Sequence, residues 1–134
     1  NLIEALLRHE GVGLVVVDDD EGVPLALGPH GARNLHTGVV SGEDPLTLYG
    51  DAELRAWQTR RISDYPCAGD LTIISTVYPD NTVAAFEELI GVHGGLGGEQ
   101  TDSFLLHPAT MTVSPTRSST DVFGILNARR EPLM

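Results

Sequence analysis

A continuous apolar run at residues 12–17 most constrains how this chain can fold. The run is rich in valine and too short for a stable helix, so we expect it to form a buried strand. An acidic stretch at residues 18–22 follows, and then a second apolar stretch at residues 24–28. The two apolar stretches are predicted to pair as a hairpin with a long acidic loop. The acids of that loop lack the alternating spacing and the distant Glu of a calcium loop, so a solvated turn is expected.

Helical and extended patterns alternate irregularly along the rest of the chain. Apolar residues at helical spacing predict three helices: residues 2–9, residues 52–62 after the N-cap Asp51, and a segment that begins near residue 118. The further predicted strands are residues 37–40, 70–78, 82–86 and 103–106. The rest of residues 28–50 is rich in glycine and proline and is predicted to be loop. These patterns predict an α/β fold of the mixed, α+β-like kind, with a mixed β-sheet, hairpins and about three flanking helices.

The charge balance excludes two classes of partner. With 19 acidic and 8 basic residues, the 134-residue chain has a formal net charge of −11. No cluster of basic residues is available for nucleic acid or for anionic lipid, so we expect no nucleic-acid partner and no membrane insertion by this domain. No apolar stretch approaches the roughly 18 residues that span a bilayer. The single cysteine, Cys67, allows no internal disulfide. Residues 1–134 are therefore predicted to form a single soluble domain.

A histidine among glycines is the strongest sign of chemistry. Small residues, with glycine at 94, 95, 97 and 98, follow His93, so little would crowd its imidazole. His-Gly-Gly also occurs in esterase oxyanion loops, but no serine here has glycine two positions away on each side, as a nucleophile elbow requires. The glycine run also lacks the Lys-Ser/Thr of a phosphate-binding loop. His30 and His36 lack zinc-ligand spacing, and structural roles are expected for both. His9 is expected to end the first helix. His107 is expected to end a strand as a polar cap, with an approach to His93 as the alternative if that strand folds back.

Most of the chain resembles the C-terminal part of certain bacterial membrane proteins. The most specific piece is residues 85–98, continued by Gln100 and residues 104–109, and residues 2–17, 42–46, 69–71 and 78–79 are also similar. Those proteins carry a phosphodiesterase or nucleotide-pyrophosphatase-like domain of the alkaline phosphatase superfamily. In that superfamily a late His-Gly supplies one ligand to a two-metal phosphoryl-transfer site. The resemblance implies that His93 is a metal ligand. It also implies that nearby residues shape the loop around the site, namely Glu87, Glu88, Gly94, Gly95 and Gly98.

The resemblance further implies that this chain holds only part of such a site. The superfamily needs an early Asp followed by a Thr or Ser nucleophile, and an Asp-His-Gly pair of ligands, and the sequence contains neither. One imidazole cannot hold two metal ions, because each ion needs several ligands. We therefore expect an incomplete piece of an alkaline-phosphatase-like domain, the C-terminal fragment of a larger membrane protein. Its upstream part would complete a zinc or manganese site for a small phosphoester substrate.

Two functions therefore stay open. In the first, the chain contributes His93 to a metal-dependent phosphoric-ester hydrolase, is not catalytic alone and does not hold the divalent metal tightly by itself. Membrane association would then come from segments outside this chain. In the second, the chain is a non-catalytic binding or interaction module, and its glycine-rich loop is structural.

Overall fold

One antiparallel sheet organises the larger part of this α+β fold. The computed structural model describes residues 1–87, 95–101 and 103–130. Residues 88–94, named here the histidine segment, lie outside the described residues. The chain divides into two compact units, Asn1–Ser103 and Phe104–Met134. The first unit contains the strands β1 (Val12–Asp18), β2 (Pro24–Gly28), β3 (Gly31–Asn34), β4 (Val40–Gly42) and β5 (Leu71–Ser75), in the sheet order β4-β3-β2-β1-β5.

The predicted central hairpin is confirmed. β1 pairs with β2, with Val15 opposite Leu27. The acidic turn is closed by Asp19, whose Oδ1 accepts the N–H groups of Glu21 and Val23, both at 2.9 Å. The strongest later strand prediction is also confirmed as β5, which pairs antiparallel with β1. Every strand pair in the described residues is antiparallel, so the expectation of a mixed sheet was wrong. Short hairpin connections join β1 to β2, β2 to β3 and β3 to β4, which makes those pairs antiparallel. β5 follows a long connection that contains α2, and it also pairs antiparallel with β1.

Two strands were missed because glycines and a tight turn look like loop in the sequence. β3 and β4 pair with Gly31 opposite Gly42. A side chain at Gly31 would collide with the backbone of Glu43, and Gly42 has a φ of 76°. In the predicted strand at 37–40 only Val40 lies in a strand, because Asn34 closes a turn before it. The Oδ1 of Asn34 accepts the N–H groups of His36 and Thr37, and its carbonyl accepts that of Gly38.

The predicted helices are confirmed with shorter or shifted ends: α1 (Leu2–Leu7), α2 (Ala52–Ser63) and α3 (Ser119–Asn127). The N-cap Asp51 accepts the N–H groups of Glu53 and Leu54, both at 3.1 Å, which explains where α2 begins. A 3-10 helix (Pro45–Tyr49) was not predicted. Within the described residues, no helix is both long enough and apolar enough to cross a membrane.

The core of the first unit lies between the sheet, the 3-10 helix and α2. Its buried side chains come from both layers: Leu14, Val16, Ala26, Leu35, Leu46, Tyr49, Ala56 and Val77. In the adjacent strands β2, β1 and β5, alternate residues point to the opposite face of the sheet. That opposite face is apolar as well. That second face carries Val15, Val17, Leu25, Leu27, Leu71 and Ile73. Val15 is fully buried, whereas Ile73, at the sheet edge, is 37% exposed.

A buried arginine ties β3 to the helical layer. Arg33 is 4% exposed, and its guanidinium contacts Asp44 at 2.7 Å and Glu53 at 2.5 Å. The hydrogen bonds to Glu53 and then Asp44 raise the pKa of Arg33, while burial opposes them. Its Nε atom has no hydrogen-bond partner among the described residues. Since Asp44 also caps the 3-10 helix through the N–H of Leu46, one ion cluster joins three elements.

Two predicted strands near the end of the first unit were wrong. After the confirmed turn at 78–82, the return consists of one isolated bridge between Val77 and Val83. No strand forms at 103–106, where the described residues have no regular structure. Phe104 and Leu106 are 91% and 90% exposed, so the short apolar run there lacks the pairing that makes a strand.

The second unit contains α3. Its N-terminus is closed by Asp121, whose Oδ2 accepts the N–H groups of Arg117 at 2.8 Å and Ser118 at 3.0 Å. At the other end, Arg129 donates to the carbonyl of Thr112, which holds the preceding segment against the helix. The predicted helix start near residue 118 is thus confirmed.

Candidate functional site

The chain that leads into the histidine segment is attached to the end of β5. Val83 forms its bridge with Val77, and the N–H of Ala84 donates to the carbonyl of Thr76 at 3.0 Å. The turn before them is fixed by Asp80, whose carboxylate accepts the hydroxyl of Thr82 at 2.7 Å. That hydrogen bond, with a second one from the Thr82 backbone, lowers the pKa of Asp80.

The chain that follows the histidine segment returns to the same place. Gly97 and Gly98 have φ values of 75° and 62°, and a Cβ on Gly98 would lie 2.8 Å from Cγ2 of Val83. A Cβ on Gly97 would lie 2.8 Å from side-chain atoms of both Tyr49 and Val77. These close approaches require glycine, so the two flanks of the histidine segment meet beside the core.

The glycine-rich chain that follows the histidine segment packs against Tyr49. The Tyr49 ring is 2% exposed and its hydroxyl donates to the carbonyl of Ser75 at 3.0 Å. Burial raises the pKa of the Tyr49 phenol well above its ordinary range. The hydroxyl fits against β1 because Gly13 has no side chain there. Sequence analysis missed Tyr49, although a glycine inside the valine run is a sign of close approach by another group.

Arg55 connects α2 to both parts of this arrangement. Its Nε donates to the carbonyl of Tyr49 at 2.8 Å, and its Nη2 donates to the hydroxyl of Thr101 at 3.2 Å. The Thr101 hydroxyl in turn donates to the carbonyl of Gly98 at 2.8 Å. The glycine-rich return is therefore fixed by polar contacts as well as by packing.

A cleft of about 340 Å³ opens at the end of the sheet where β1 begins and β5 ends. Its walls come from the β2–β3 turn, the connection from β4 to the 3-10 helix, the start of β1 and the residue that follows β5. The lining residues with polar side chains are His30, Glu43, Asp44, Thr47 and Thr76. Thr76 is the link to the histidine segment, since it lines the cleft while its carbonyl holds Ala84.

The predicted site residues fall into two groups. His93, Glu88 and Gly94 lie outside the described residues, so their predicted roles stay predictions. Glu87 is described and exposed.

The remaining two predicted residues, Gly95 and Gly98, are described and lie beside first-unit residues. A Cβ on Gly95 would touch the Gln100 side chain, and Gly98 lies against Val83. Gly98 is therefore held by packing against Val83, whereas Gly95 contacts the flexible side chain of Gln100.

The other histidines have local roles. The Nδ1 of His9 accepts the N–H of Gly11 at 3.1 Å, just after α1. His36 lies 3.7 Å from the carboxylate of Asp64 at the end of α2. His107 contacts the carbonyl of Pro108 in the second unit. Of these four histidines, His30 is the one that borders the cleft.

Within the described ranges, no three His, Cys, Asp or Glu side chains are grouped so that they could hold a metal ion. Comparisons with protein families, with curated proteins and with solved structures returned no match for this chain.

Proposed function

We propose that this chain is the C-terminal portion of a metal-dependent phosphodiesterase- or phosphatase-like hydrolase. In this proposal the sheet is a piece of an alkaline-phosphatase-like domain, and the histidine segment presents His93 to a metal site. Residues outside this chain supply the nucleophile and the remaining ligands, and bind a small phosphoester. Segments outside this chain also supply membrane association.

One observation carries the proposal: the two flanks of the histidine segment are anchored together beside the cleft. A metal ligand works only when its supporting shell holds it within a fraction of an ångström. Here Thr76 holds the incoming flank, and Tyr49 and Val77 hold the outgoing flank through Gly97. A purely solvent-exposed glycine loop would need none of these close contacts.

The proposal is tested in the full-length protein by comparing three variants, His93→Ala, His9→Ala and His36→Ala. Loss of a metal ligand removes several kcal/mol of Lewis-acid stabilisation, so the His93 variant is expected to lose roughly a thousandfold in turnover, together with bound metal. The two controls are expected to change stability by no more than about 0.5 kcal/mol. Equal turnover and equal metal content in the His93 variant and the parent would contradict the proposal.

The isolated 134-residue chain provides a second test. It is expected to be inactive toward a chromogenic phosphodiester, with or without added zinc or manganese, because it lacks the nucleophile. Metal-dependent turnover by the isolated chain, abolished by His93→Ala, would show that the site is not shared with residues outside it.

The cleft favours a second candidate function, that of a binding module. All of its walls belong to described residues of the first unit, so a small ligand could bind without any upstream residue. The test is NMR titration of the isolated chain with a small-molecule library. Chemical-shift changes grouped at His30 and Thr76, and unaffected by His93→Ala, would support the binding module over the hydrolase.

A further inference from the structure

The cleft at the end of the sheet has a charge balance that selects among small ligands. Its described lining residues include two carboxylates, those of Glu43 and Asp44, and one imidazole, that of His30. None of these described lining residues is Lys or Arg, so no side chain in the wall would pair with a phosphate or carboxylate group. An anionic ligand would instead meet two carboxylates, and the cleft therefore disfavours it.

One of the two carboxylates is already engaged. The Oδ2 atom of Asp44 pairs with the buried guanidinium of Arg33 at 2.7 Å, and its Oδ1 atom accepts the N–H of Leu46 at 3.0 Å. The Glu43 side chain, in contrast, has no hydrogen bond and no ion pair with any described residue, and Glu43 is exposed. Glu43 is therefore the carboxylate of the wall that is available to a ligand.

The backbone holds Glu43 in place against the β2–β3 turn. Its N–H donates to the carbonyl of His30 at 3.1 Å. Its backbone also lies so close to Gly31 that a side chain on that glycine would collide with it. The Glu43 carboxylate thus extends from a fixed point of the cleft wall, and only its own side chain has to be ordered when a ligand binds.

The rest of the wall supplies acceptors and apolar surface. The hydroxyl of Thr47 donates to the carbonyl of Asp44 at 2.8 Å, so its oxygen is left to accept from a ligand. Val12, Pro45 and Leu48 add apolar surface, and no Phe, Tyr or Trp is among the described residues that line the cleft. Quaternary ammonium groups are recognised by aromatic faces, whereas a primary ammonium group brings three N–H donors to oxygen acceptors. The wall therefore matches a primary ammonium group.

We infer that the cleft binds a small primary amine, with its ammonium group on the Glu43 carboxylate and its apolar body against the apolar part of the wall. This inference rests on the binding-module function proposed above and deepens it by naming the class of ligand. It needs no metal ion and no residue outside the cleft, so it is independent of the metal role of His93.

The test is an NMR titration of this chain with three probes that share one branched carbon skeleton: isoamylamine, isoamyl alcohol and isovalerate. Isoamylamine is expected to shift the amide signals of His30, Glu43 and Thr76 in a saturable way. The alcohol is expected to bind roughly fivefold more weakly, because a solvent-exposed ion pair contributes at most about that factor. Isovalerate is expected to cause no saturable shift. An alcohol that binds as tightly as the amine, or an amine that causes no shift at the cleft, would overturn the inference.

Two charge variants test whether Glu43 causes the preference for the amine. Glu43→Gln is expected to lower the affinity for isoamylamine to that for isoamyl alcohol. The matched control is Glu21→Gln, which removes the same charge from an exposed residue of the β1–β2 turn, at the opposite end of the sheet, and should keep the preference. A preference that survives Glu43→Gln, or that Glu21→Gln reduces equally, would mean that the net charge of the chain attracts the amine, and would overturn the inference.

The same titration separates this inference from the function on which it rests. Saturable binding of isoamyl alcohol or isovalerate at His30 and Thr76, at least as tight as that of the amine, would support the binding module and overturn the amine as its ligand. An absence of shifts at the cleft with all three probes would also overturn the inference, while the library titration would still decide on the binding module.

Discussion

The hydroxyl of Tyr49 occupies the space that a side chain on Gly13 would need. The ring comes from the 3-10 helix and the glycine from β1, and the hydroxyl reaches over the glycine to the carbonyl of Ser75. The Cα of Thr76 and the carbonyl of Ser75 close the space at 3.0 and 3.1 Å from the ideal Cβ position. Strand, 3-10 helix and the end of β5 therefore fit together only when residue 13 is glycine.

Gly13→Ala is expected to destabilise the first unit by about 3 kcal/mol, because overpacking and the loss of a buried hydrogen bond combine. Chemical denaturation would measure the change in the free energy of unfolding. Gly69→Ala is the control, since the nearest atom to its Cβ would be at an ordinary 3.6 Å. The double variant Gly13→Ala/Tyr49→Phe removes the colliding oxygen, so its cost should be less than the sum of the single changes. Strict additivity would contradict this account.

Stability is expected to fall at alkaline pH through Tyr49. Burial raises the pKa of its phenol, so the folded chain keeps this proton above about pH 10, where the unfolded chain loses it. The unfolded state then binds fewer protons, and the free energy of unfolding decreases by about 1.4 kcal/mol per pH unit as the pH rises above about 10. Tyr49→Phe should remove this slope, as followed by urea denaturation between pH 8 and roughly 11.5. Tyr65→Phe, at a 51% exposed ring, should keep it.

The two carboxylates around Arg33 are expected to contribute unequally. The Asp44 side chain is 15% exposed and the Glu53 side chain 82% exposed, so water screens the second pair strongly. Asp44→Asn is expected to cost about 3 kcal/mol, because it leaves the buried guanidinium facing an amide. Glu53→Gln should cost less than about 1 kcal/mol, although Glu53 has the larger influence on the pKa of Arg33. Equal losses in thermal denaturation would show that the Glu53 contact persists in solution despite its exposure.

Gly97 should be less tolerant of substitution than another glycine with the same backbone conformation. Gly97 and Gly22 have φ values of 75° and 76°, but a Cβ on Gly22 would meet nothing within 4 Å. Gly22→Ala is therefore expected to cost only the left-handed backbone term, about 1 kcal/mol. Gly97→Ala adds contacts at 2.8 Å with Tyr49 and Val77 and should cost at least 2 kcal/mol more. Equal losses for the two variants would mean that the glycine-rich return is not packed on the core.

The central strands and the helices could be predicted because local signals were strong. The valine run, the Asp51 cap and the Pro79 turn each have a short-range physical cause. β3 and β4 were missed because their pairing depends on glycines that let the chain pass close to Glu43. That close approach is a tertiary contact, and in the sequence the same glycines indicate a loop. The reverse error occurred at residues 103–106, where a short apolar run has no partner strand among the described residues.

The candidate site was predictable only in part. The glycines after His93 were recognised, and their contacts with Tyr49 and Val83 give those at 97 and 98 a physical reason. The cleft and the Arg55 contacts could not be predicted, because they join residues from α2, the 3-10 helix and the end of β5. The metal role of His93 stays a prediction, since it lies in the histidine segment.

The position of β1 between β2 and β5 also orders the assembly of the sheet. Leu27 follows its neighbour Val15 by 12 residues, whereas Ile73 follows it by 58. Closing the longer loop costs about 1.4 kcal/mol more in chain entropy, so the meander from β1 to β4 should form before β5 docks. Substitutions in β2 should then slow folding, and those in β5 should mainly accelerate unfolding, which stopped-flow kinetics would separate. Until β5 docks, the outer edge of β1 is unpaired, so the valine-rich strand at the centre of the finished sheet is an edge strand in the partly folded chain.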